Sequence, residues 1–125
     1  MFPCGNLKRD VLPDNLARAG IELKIVECYK TEQADDLGSC LHRFREEFGS
    51  ADFAAFFSPS GVKFSWPVVT SLFPDFKSSC KFISIGPVTT EALEAKECSR
   101  IFTAATPNVD GLIEALKAAV DDPIL

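Results

Sequence analysis

The sequence predicts an α/β fold in which a parallel sheet is flanked by helices. A strand, a turn and a helix follow one another three times between residues 53 and 121. The apolar run at 53–57 shows little alternation, which is typical of a strand buried on both faces of a parallel sheet. Because the connections of such sheets are right-handed, the helices are expected to cover the strands.

The remaining elements of this carboxyl-terminal part follow from apolar periodicity and from turn residues. Strands are predicted at 81–85 and 100–103, and a helix is predicted at 89–96. Pro67 lies inside the first helical stretch, so it either kinks that helix or restarts it. Asn108 is the expected N-cap of the last helix. The predicted inward stripe of that helix consists of Leu112, Leu116, Ala119 and Val120.

The first 49 residues contain two predicted helices and one predicted strand. A short helix is expected to begin at 12–14 and to end at Gly20, with Leu16 and Ala19 turned inward. Alternating side chains then predict a strand at 21–29, and the polar segment 30–37 is interpreted as a linker. An amphipathic helix ending at Gly49 follows from the spacing of Leu41, Phe44 and Phe48.

Composition restricts the classes of function. The chain is 46% hydrophobic and 25% charged, which is the balance of a soluble domain with a core. Its net charge of −5 argues against a nucleic-acid surface, which requires a basic stripe. No apolar run approaches the roughly 18 residues of a membrane span, and the first residues lack the apolar stretch of a signal peptide. We therefore expect a cytoplasmic protein.

The five cysteines and the single histidine argue against a zinc site and a thiol–imidazole pair. No Cys or His pair has zinc-ligand spacing, so no metal is expected, and reduced thiols in a reducing compartment are the simplest interpretation. His42 has one cysteine neighbour, Cys40, but residues two apart on a helix do not face each other. Catalysis by a Ser–His–Asp triad is disfavoured for the same lack of histidines.

Three loops are candidate binding sites because ligands of α/β folds bind beyond the carboxyl ends of the strands. They lie at 58–61, 86–90 and 106–110, where small or hydroxyl residues precede helix N-termini that favour anions. Helix capping without a ligand explains each loop equally well. No dinucleotide or P-loop motif is present. Tyr29, the only tyrosine, ends a predicted strand, and a half-buried aromatic is the alternative to a functional role.

Four segments together resemble a known family. They read FPCGNLKRDVLPDNLARAGIELKIVECYKT, FFSPSGV, ISIGPVTTEAL and TAATPNVDGLIEAL. In this order and at these intervals they are similar to the carboxyl-terminal half of uroporphyrinogen-III synthases, whose pattern runs close to FPCGNLKR–LP–L–GI–V–VY–T, FFSPSG, IGPTTA–AL and a final –PTP–L. The resemblance spans essentially the whole chain.

The resemblance implies a lyase of porphyrin and haem biosynthesis that needs no cofactor and no metal. Such an enzyme closes the linear tetrapyrrole hydroxymethylbilane into uroporphyrinogen III, inverts ring D and releases water. The implied fold has two α/β domains, with the substrate in the cleft between them. Residues 1–28 would be the end of the inserted second domain, 29–33 a connector, and 34–125 the second half of the discontinuous first domain, a flavodoxin-like half-domain.

The resemblance also assigns site residues by matching motifs. Tyr29 matches the tyrosine that assists departure of the substrate hydroxyl. Val88 stands where the family pattern has its first threonine, which removes one polar contact. The expected substrate contacts are Ser58, Ser60 and Gly61 of the FFSPSG loop, Thr89 of the GPTT loop, and Lys8 and Arg9 of LKR, the last two of which are equally compatible with a structural role.

The chain has about half the length of the family, so one wall of the implied cleft is absent. A parallel sheet that lacks neighbouring strands exposes an apolar edge. The expected partners are therefore the tetrapyrrole substrate and either a second copy of the chain or a complementing half, with no nucleic acid and no membrane. The alternative function is a catalytically silent, truncated form that acts as a tetrapyrrole-binding or interaction domain.

Overall fold

The structure is a computed structural model that describes residues 1–6 and 11–123. The chain divides into two compact units, Met1–Glu32 and Gln33–Leu125. In the first unit, strands β1 (Phe2–Gly5) and β2 (Ile25–Tyr29) pair in parallel, and helix α1 (Val11–Arg18) lies between them in the sequence.

Strand β2 begins later than the sequence predicts. Alternation suggested a strand from residue 21, but pairing starts where Phe2 lies opposite Ile25. Strand β1 has only four residues, so the described part of this unit offers residues 21–24 no partner. The inward prediction for Ala19 was also wrong, since this residue follows the end of α1 and is exposed.

The second unit is an α/β sheet, which confirms the predicted fold class. Its described strands pair in parallel in the order β3-β4-β5. Each strand leads into a helix of at least nine residues, as predicted. The elements are α2 (Leu37–Phe48), β3 (Phe53–Phe56), α3 (Pro59–Leu72), α4 (Phe76–Ser79), β4 (Lys81–Ser84), α5 (Pro87–Ala95), β5 (Ile101–Thr103) and α6 (Val109–Asp121).

The larger core lies on one face of this sheet, under α3, α4 and α5. Phe82 of β4 is fully buried there, and its ring packs edge-on against Phe76 at a centroid distance of 5.2 Å. Trp66 of α3 contacts both rings. Aromatic pairs of this geometry stabilise a core beyond their buried area. The buried members are Val62, Val69, Phe76, Cys80, Phe82, Leu93 and Cys98.

Helix α6 covers the opposite face through small residues. Ala115 and Ala119 pack against Ile83 of β4 and against Ala104 just after β5. The sequence predicted that Leu116 and Val120 would also point inward, and this was wrong, because both side chains are exposed. A helix can approach a sheet closely only where its side chains are short, so α6 is rotated toward its alanines.

A buried lysine holds the carboxyl end of α6. The side chain of Lys81 in β4 is 2% exposed, and its Nζ donates hydrogen bonds to the carbonyl oxygens of Ala119, at 2.7 Å, and Asp122. The carboxylate of Asp122 lies 3.9 Å away. The last carbonyls of a helix lack partners within the helix and carry partial negative charge, so an ammonium group there is stabilising.

Strand β3 is not buried on both faces, so this prediction was also wrong. Phe53 is 38% exposed, and exposed and half-buried residues alternate along the strand. Within the described residues β3 is an edge of the sheet, and no helix covers its α6 side. The apolar run predicted the strand correctly but could not indicate which neighbours the strand would have.

Pro67 lies within one continuous helix, so α3 does not restart there. A proline lacks the N–H that would bond to the carbonyl four residues earlier. Hydroxyl groups near it bond back to the helix backbone instead, since Ser65 Oγ donates to Gly61 O at 2.6 Å and Thr70 Oγ1 donates to Trp66 O at 2.7 Å. No helix among the described residues is both long enough and apolar enough to cross a membrane.

Two helical glycines differ in the space around them. A Cβ atom added at Gly111 in α6 would lie 2.1 Å from the carbonyl oxygen of Thr106, whereas one added at Gly38 in α2 would meet nothing within 4 Å. We expect Gly111→Ala to lower the free energy of unfolding by roughly 2–3 kcal/mol. Gly38→Ala should raise it by about 0.5–1 kcal/mol, because alanine loses less entropy in a helix. Urea denaturation of both variants would measure these changes, and equal effects would contradict the close approach.

The described cysteines fall into two classes. Burial raises the pKa of the Cys80 thiol from 9.0 to about 12, with Asp52 adding to the effect, and burial raises that of Cys98 to about 11. Cys28 and Cys40 are exposed. Since the thiolate is the reacting form, iodoacetamide at pH 8 should alkylate Cys80 and Cys98 at least about a hundredfold more slowly than the exposed pair. Peptide mass mapping gives the rates, and unfolding in urea should equalise them.

Candidate functional site

The carboxyl edge of the three-stranded sheet brings the three predicted loops to one side of the second unit. Strands β3, β4 and β5 end at Phe56, Ser84 and Thr103, and each is followed by a loop that leads into a helix. In parallel sheets this edge is where ligands bind, because helix N-termini and their free N–H groups collect there.

Two of these loops cap their own helices. Ser58 Oγ accepts a hydrogen bond from the N–H of Gly61 at 3.0 Å and lies 3.1 Å from Ser60 Oγ. At the last loop, Asn108 Oδ1 accepts from the N–H of Gly111 at 2.8 Å and from Thr106 Oγ1 at 2.9 Å. The predicted capping roles are therefore confirmed for both loops, and capping already occupies these oxygen atoms.

Helix α5 begins differently. It starts at Pro87 after Gly86, and no side chain caps it in the described part of the chain. Proline has no N–H, and Thr90 N donates to Gly86 O at 3.0 Å. The N–H groups of Val88 and Thr89 lie in the first turn, where a helix offers no carbonyl to them. This N-terminus therefore keeps donors and partial positive charge that can bind an anion.

A cluster of hydroxyl groups lies beside the start of α5. Thr90 Oγ1 is 2.9 Å from Ser84 Oγ and 2.7 Å from Thr103 Oγ1, and Ser84 Oγ donates to Gly86 O at 2.8 Å. Sequence reasoning did not select these three residues. The signal that could have found them is a hydroxyl residue at the last position of both β4 and β5, because adjacent parallel strands end side by side.

The structure places the predicted site residues in different surroundings. Ser58, Ser60, Gly61 and Thr89 follow β3 and β4 at the carboxyl edge. The Thr89 side chain is 2% exposed, so its backbone N–H is the part of this residue that lies at the start of the helix. Val88 is exposed. Among the described residues no group of three or more His, Cys, Asp or Glu side chains could hold a metal ion.

The other predicted residues belong to the first unit. Tyr29 is the last residue of β2, and Lys8 and Arg9 lie outside the described residues. The backbone that follows Tyr29 is held by Asn6, whose Oδ1 accepts from Thr31 N at 2.5 Å and whose Nδ2 donates to Thr31 O at 3.0 Å. This pair of bonds fixes where the chain leaves the strand.

Comparison with known proteins decides the family. Residues 1–114 match the sequence profile of the family described as uroporphyrinogen-III synthase HemD. The chain belongs to the uroporphyrinogen-III synthase family. It is also similar to uroporphyrinogen-III synthase of Saccharomyces cerevisiae, with 27% identity over 125 residues that cover 94% of this chain. The chain spans 44% of the length of that yeast relative. Membership of this family implies a lyase of porphyrin and haem biosynthesis.

The two serines of the first loop provide a matched test of the capping assignment. Ser58→Ala removes the acceptor for Gly61 N and should lower the free energy of unfolding by about 1 kcal/mol. Ser60→Ala removes only a bond between two hydroxyls at a partly exposed position and should cost less than about 0.5 kcal/mol. Thermal and urea denaturation measure both. Equal losses would show that Ser58 does not cap α3.

Proposed function

We propose that this chain forms part of a uroporphyrinogen-III synthase that converts hydroxymethylbilane into uroporphyrinogen III, with inversion of ring D and loss of water. The observation that carries the proposal is the uncapped N-terminus of α5 beside the hydroxyl cluster, in a chain whose residues 1–114 match this family. We place the protein in the cytosol, where its described cysteines stay reduced.

The charge of the substrate explains why this edge suits it. Hydroxymethylbilane carries eight carboxylates, whereas the chain itself has a net charge of −5. Such a protein attracts the substrate locally rather than through a broad basic field. The free N–H groups of Val88 and Thr89 would accept one carboxylate, and the loop of Ser58, Ser60 and Gly61 would line the site next to it.

Tyr29 is proposed to act on the leaving group. Its phenol would donate a hydrogen bond to the hydroxyl on ring A while the carbon–oxygen bond breaks and the hydroxyl leaves as water. The electrons of the pyrrole nitrogen take its place, and an electrophilic azafulvene results. Asn6 supports this role by fixing the backbone at Thr31, two residues beyond Tyr29. Substrate position is as important as this donor, because an intramolecular reaction depends on the held geometry.

Isomer choice depends on how the chain of pyrroles is folded. The substituted carbon of ring D attacks the azafulvene and forms a spiro intermediate, which fragments and recloses with ring D inverted. Closure without this attack gives the type I isomer. Lys8 and Arg9 would hold further carboxylates in the folded pose. The proposed cleft needs two domains, with 1–28 in the inserted domain, 29–33 as connector and 34–125 in the discontinuous domain.

The second candidate function is tetrapyrrole binding without catalysis. Val88 supports it, because an exposed valine stands where the family pattern has a threonine. The span of 44% of the yeast relative supports it as well, since one wall of the cleft would have to come from other polypeptide. A complementing half or self-association would restore that wall in an active assembly.

The isomer ratio formed from hydroxymethylbilane separates these candidates. We expect type III product above the spontaneous background when the purified chain, supplied with any partner that co-purifies with it, is added. Tyr29→Phe should lower the rate of type III formation by about tenfold to a hundredfold, because it removes one proton donor and leaves the ring. Ser99→Ala removes an exposed hydroxyl just before β5, at the opposite edge, and should leave the rate unchanged.

The contrary outcomes are equally informative. Type I product alone from folded protein that binds the tetrapyrrole would favour the silent binding domain. Unchanged turnover in Tyr29→Phe would remove the proposed role of that hydroxyl. An equal loss in Tyr29→Phe and Ser99→Ala would point to a general loss of folded protein, which circular dichroism of both variants would reveal.

A further inference from the structure

The outer edge of β3 presents unpaired backbone groups within the described residues. Lys81 N donates to Asp52 O, and Ile85 N donates to Phe56 O. In a parallel pair the backbone groups of alternate residues point to opposite sides, so those of Phe53 and Ala55 point away from β4. The described residues place no strand on that side. An apolar strand with a free edge is a template for pairing with further polypeptide.

A line of exposed apolar side chains runs along one side of α6. Their spacing of four, three and four residues places them on one face of the helix. This face is separate from the face of Gly111, Ala115 and Ala119 that packs on the sheet. We refer to these residues as the α6 stripe: Val109 is 70% exposed, Ile113 44%, Leu116 42% and Val120 60%.

The α6 stripe and the free edge of β3 border the same space. Lys81 Nζ bonds to Ala119 O at 2.7 Å and also lies 6.0 Å from the ring centre of Phe53. The end of α6 is therefore next to the exposed face of β3. Right-handed connections fix the strand order seen from α6, and the rotation of the helix then turns the stripe toward the β3 side.

The opposite face of β3 is also apolar. A cleft of about 270 Å³ lies between α2, α3 and the strand, and is lined by Leu41, Phe44 and Phe56 among others. A strand added beside β3 would have apolar surroundings on both of its faces. Strands buried in this way carry apolar side chains on both faces, as in parallel sheets covered by helices.

We infer that the edge of β3 binds a parallel strand of polypeptide outside these 125 residues, and that an amphipathic helix joined to this strand covers the α6 stripe. This inference rests on the proposed function, because it specifies the complementing half and the surface that receives it. The chain spans 44% of the yeast relative, so members of this family contain further polypeptide that could supply the strand and the helix.

Spacing favours this occupant over a second copy of the chain. Neighbouring strands are about 4.8 Å apart, and packed helices are about 8–10 Å apart. Helix α6 lies over β4 and β5. If two copies paired through β3 about a twofold axis, the two α6 helices would be about four strand spacings apart, or about 19 Å. The α6 stripes would then remain uncovered, whereas a helix beside α6 covers the stripe and Phe53 together.

The test is co-expression of this chain with the remainder of yeast uroporphyrinogen-III synthase as a separate polypeptide. We expect a one-to-one complex in which the amides of Phe53 and Ala55 exchange hydrogen at least about tenfold more slowly than in the chain alone. Ile113→Glu buries a charge in the contact and should weaken the complex at least about tenfold. Ala118→Glu adds the same charge on the other side of α6, where Ala118 is exposed, and should change affinity less than about twofold.

Three results would overturn the inference. The first is no complex, or a complex in which the β3 amides are not slowed. The second is an equal effect of Ile113→Glu and Ala118→Glu. The third is a dimer of the chain alone with slowed exchange at Phe53 and Ala55, which would make a second copy the occupant. Binding and exchange are measured without turnover, so failure to form the type III isomer affects the proposed function and not this surface.

Discussion

The position of α6 depends on the ammonium group of Lys81. The other contacts of this helix with the sheet come from glycine and alanine, which bury little apolar area and supply little orientation. A charge buried at 2% exposure is stable only when its hydrogen bonds are satisfied, and here the carbonyls of Ala119 and Asp122 satisfy it. The helix end and the lysine therefore require each other. Because the other end of α6 is the Asn108 loop, the same interaction positions one side of the candidate site.

The carboxyl edge of the sheet is chemically uneven, and this unevenness directs a ligand to one place. Ser58 and Asn108 use their side-chain oxygens to satisfy N–H groups of their own helices. Gly86 has no side chain to do so, and Pro87 next to it has no N–H to satisfy. The free donors are thus concentrated at Val88 and Thr89, with the hydroxyl of Thr90 held in the cluster beside them. An anion at this edge is stabilised most where the protein itself leaves the donors open.

Local patterns predicted the elements, and tertiary neighbours determined what was missed. Turn residues and apolar periodicity located β3, β4, β5 and the caps of α3 and α6, because these depend on residues adjacent in sequence. The burial of Lys81 could not be predicted, since it depends on a carbonyl 38 residues away. The cluster of Ser84, Thr90 and Thr103 likewise requires the parallel register. The resemblance identified the family because its motifs are defined by sequence, and for the same reason it left the surroundings of Thr89 open.

The two wrong predictions of burial have a common cause. Phe53 and Leu116 were expected inside because their sequence patterns are those of a covered strand and of a helix with an apolar stripe. Both patterns are correct for a sheet that continues beyond β3, and both side chains are exposed where the described sheet ends. A chain selected to expose this surface would carry charged residues on its edge strand, as isolated edges do. Residues 53–57 contain none. Their composition is that of an interior strand, so the physical requirement they express is a neighbour rather than solvent.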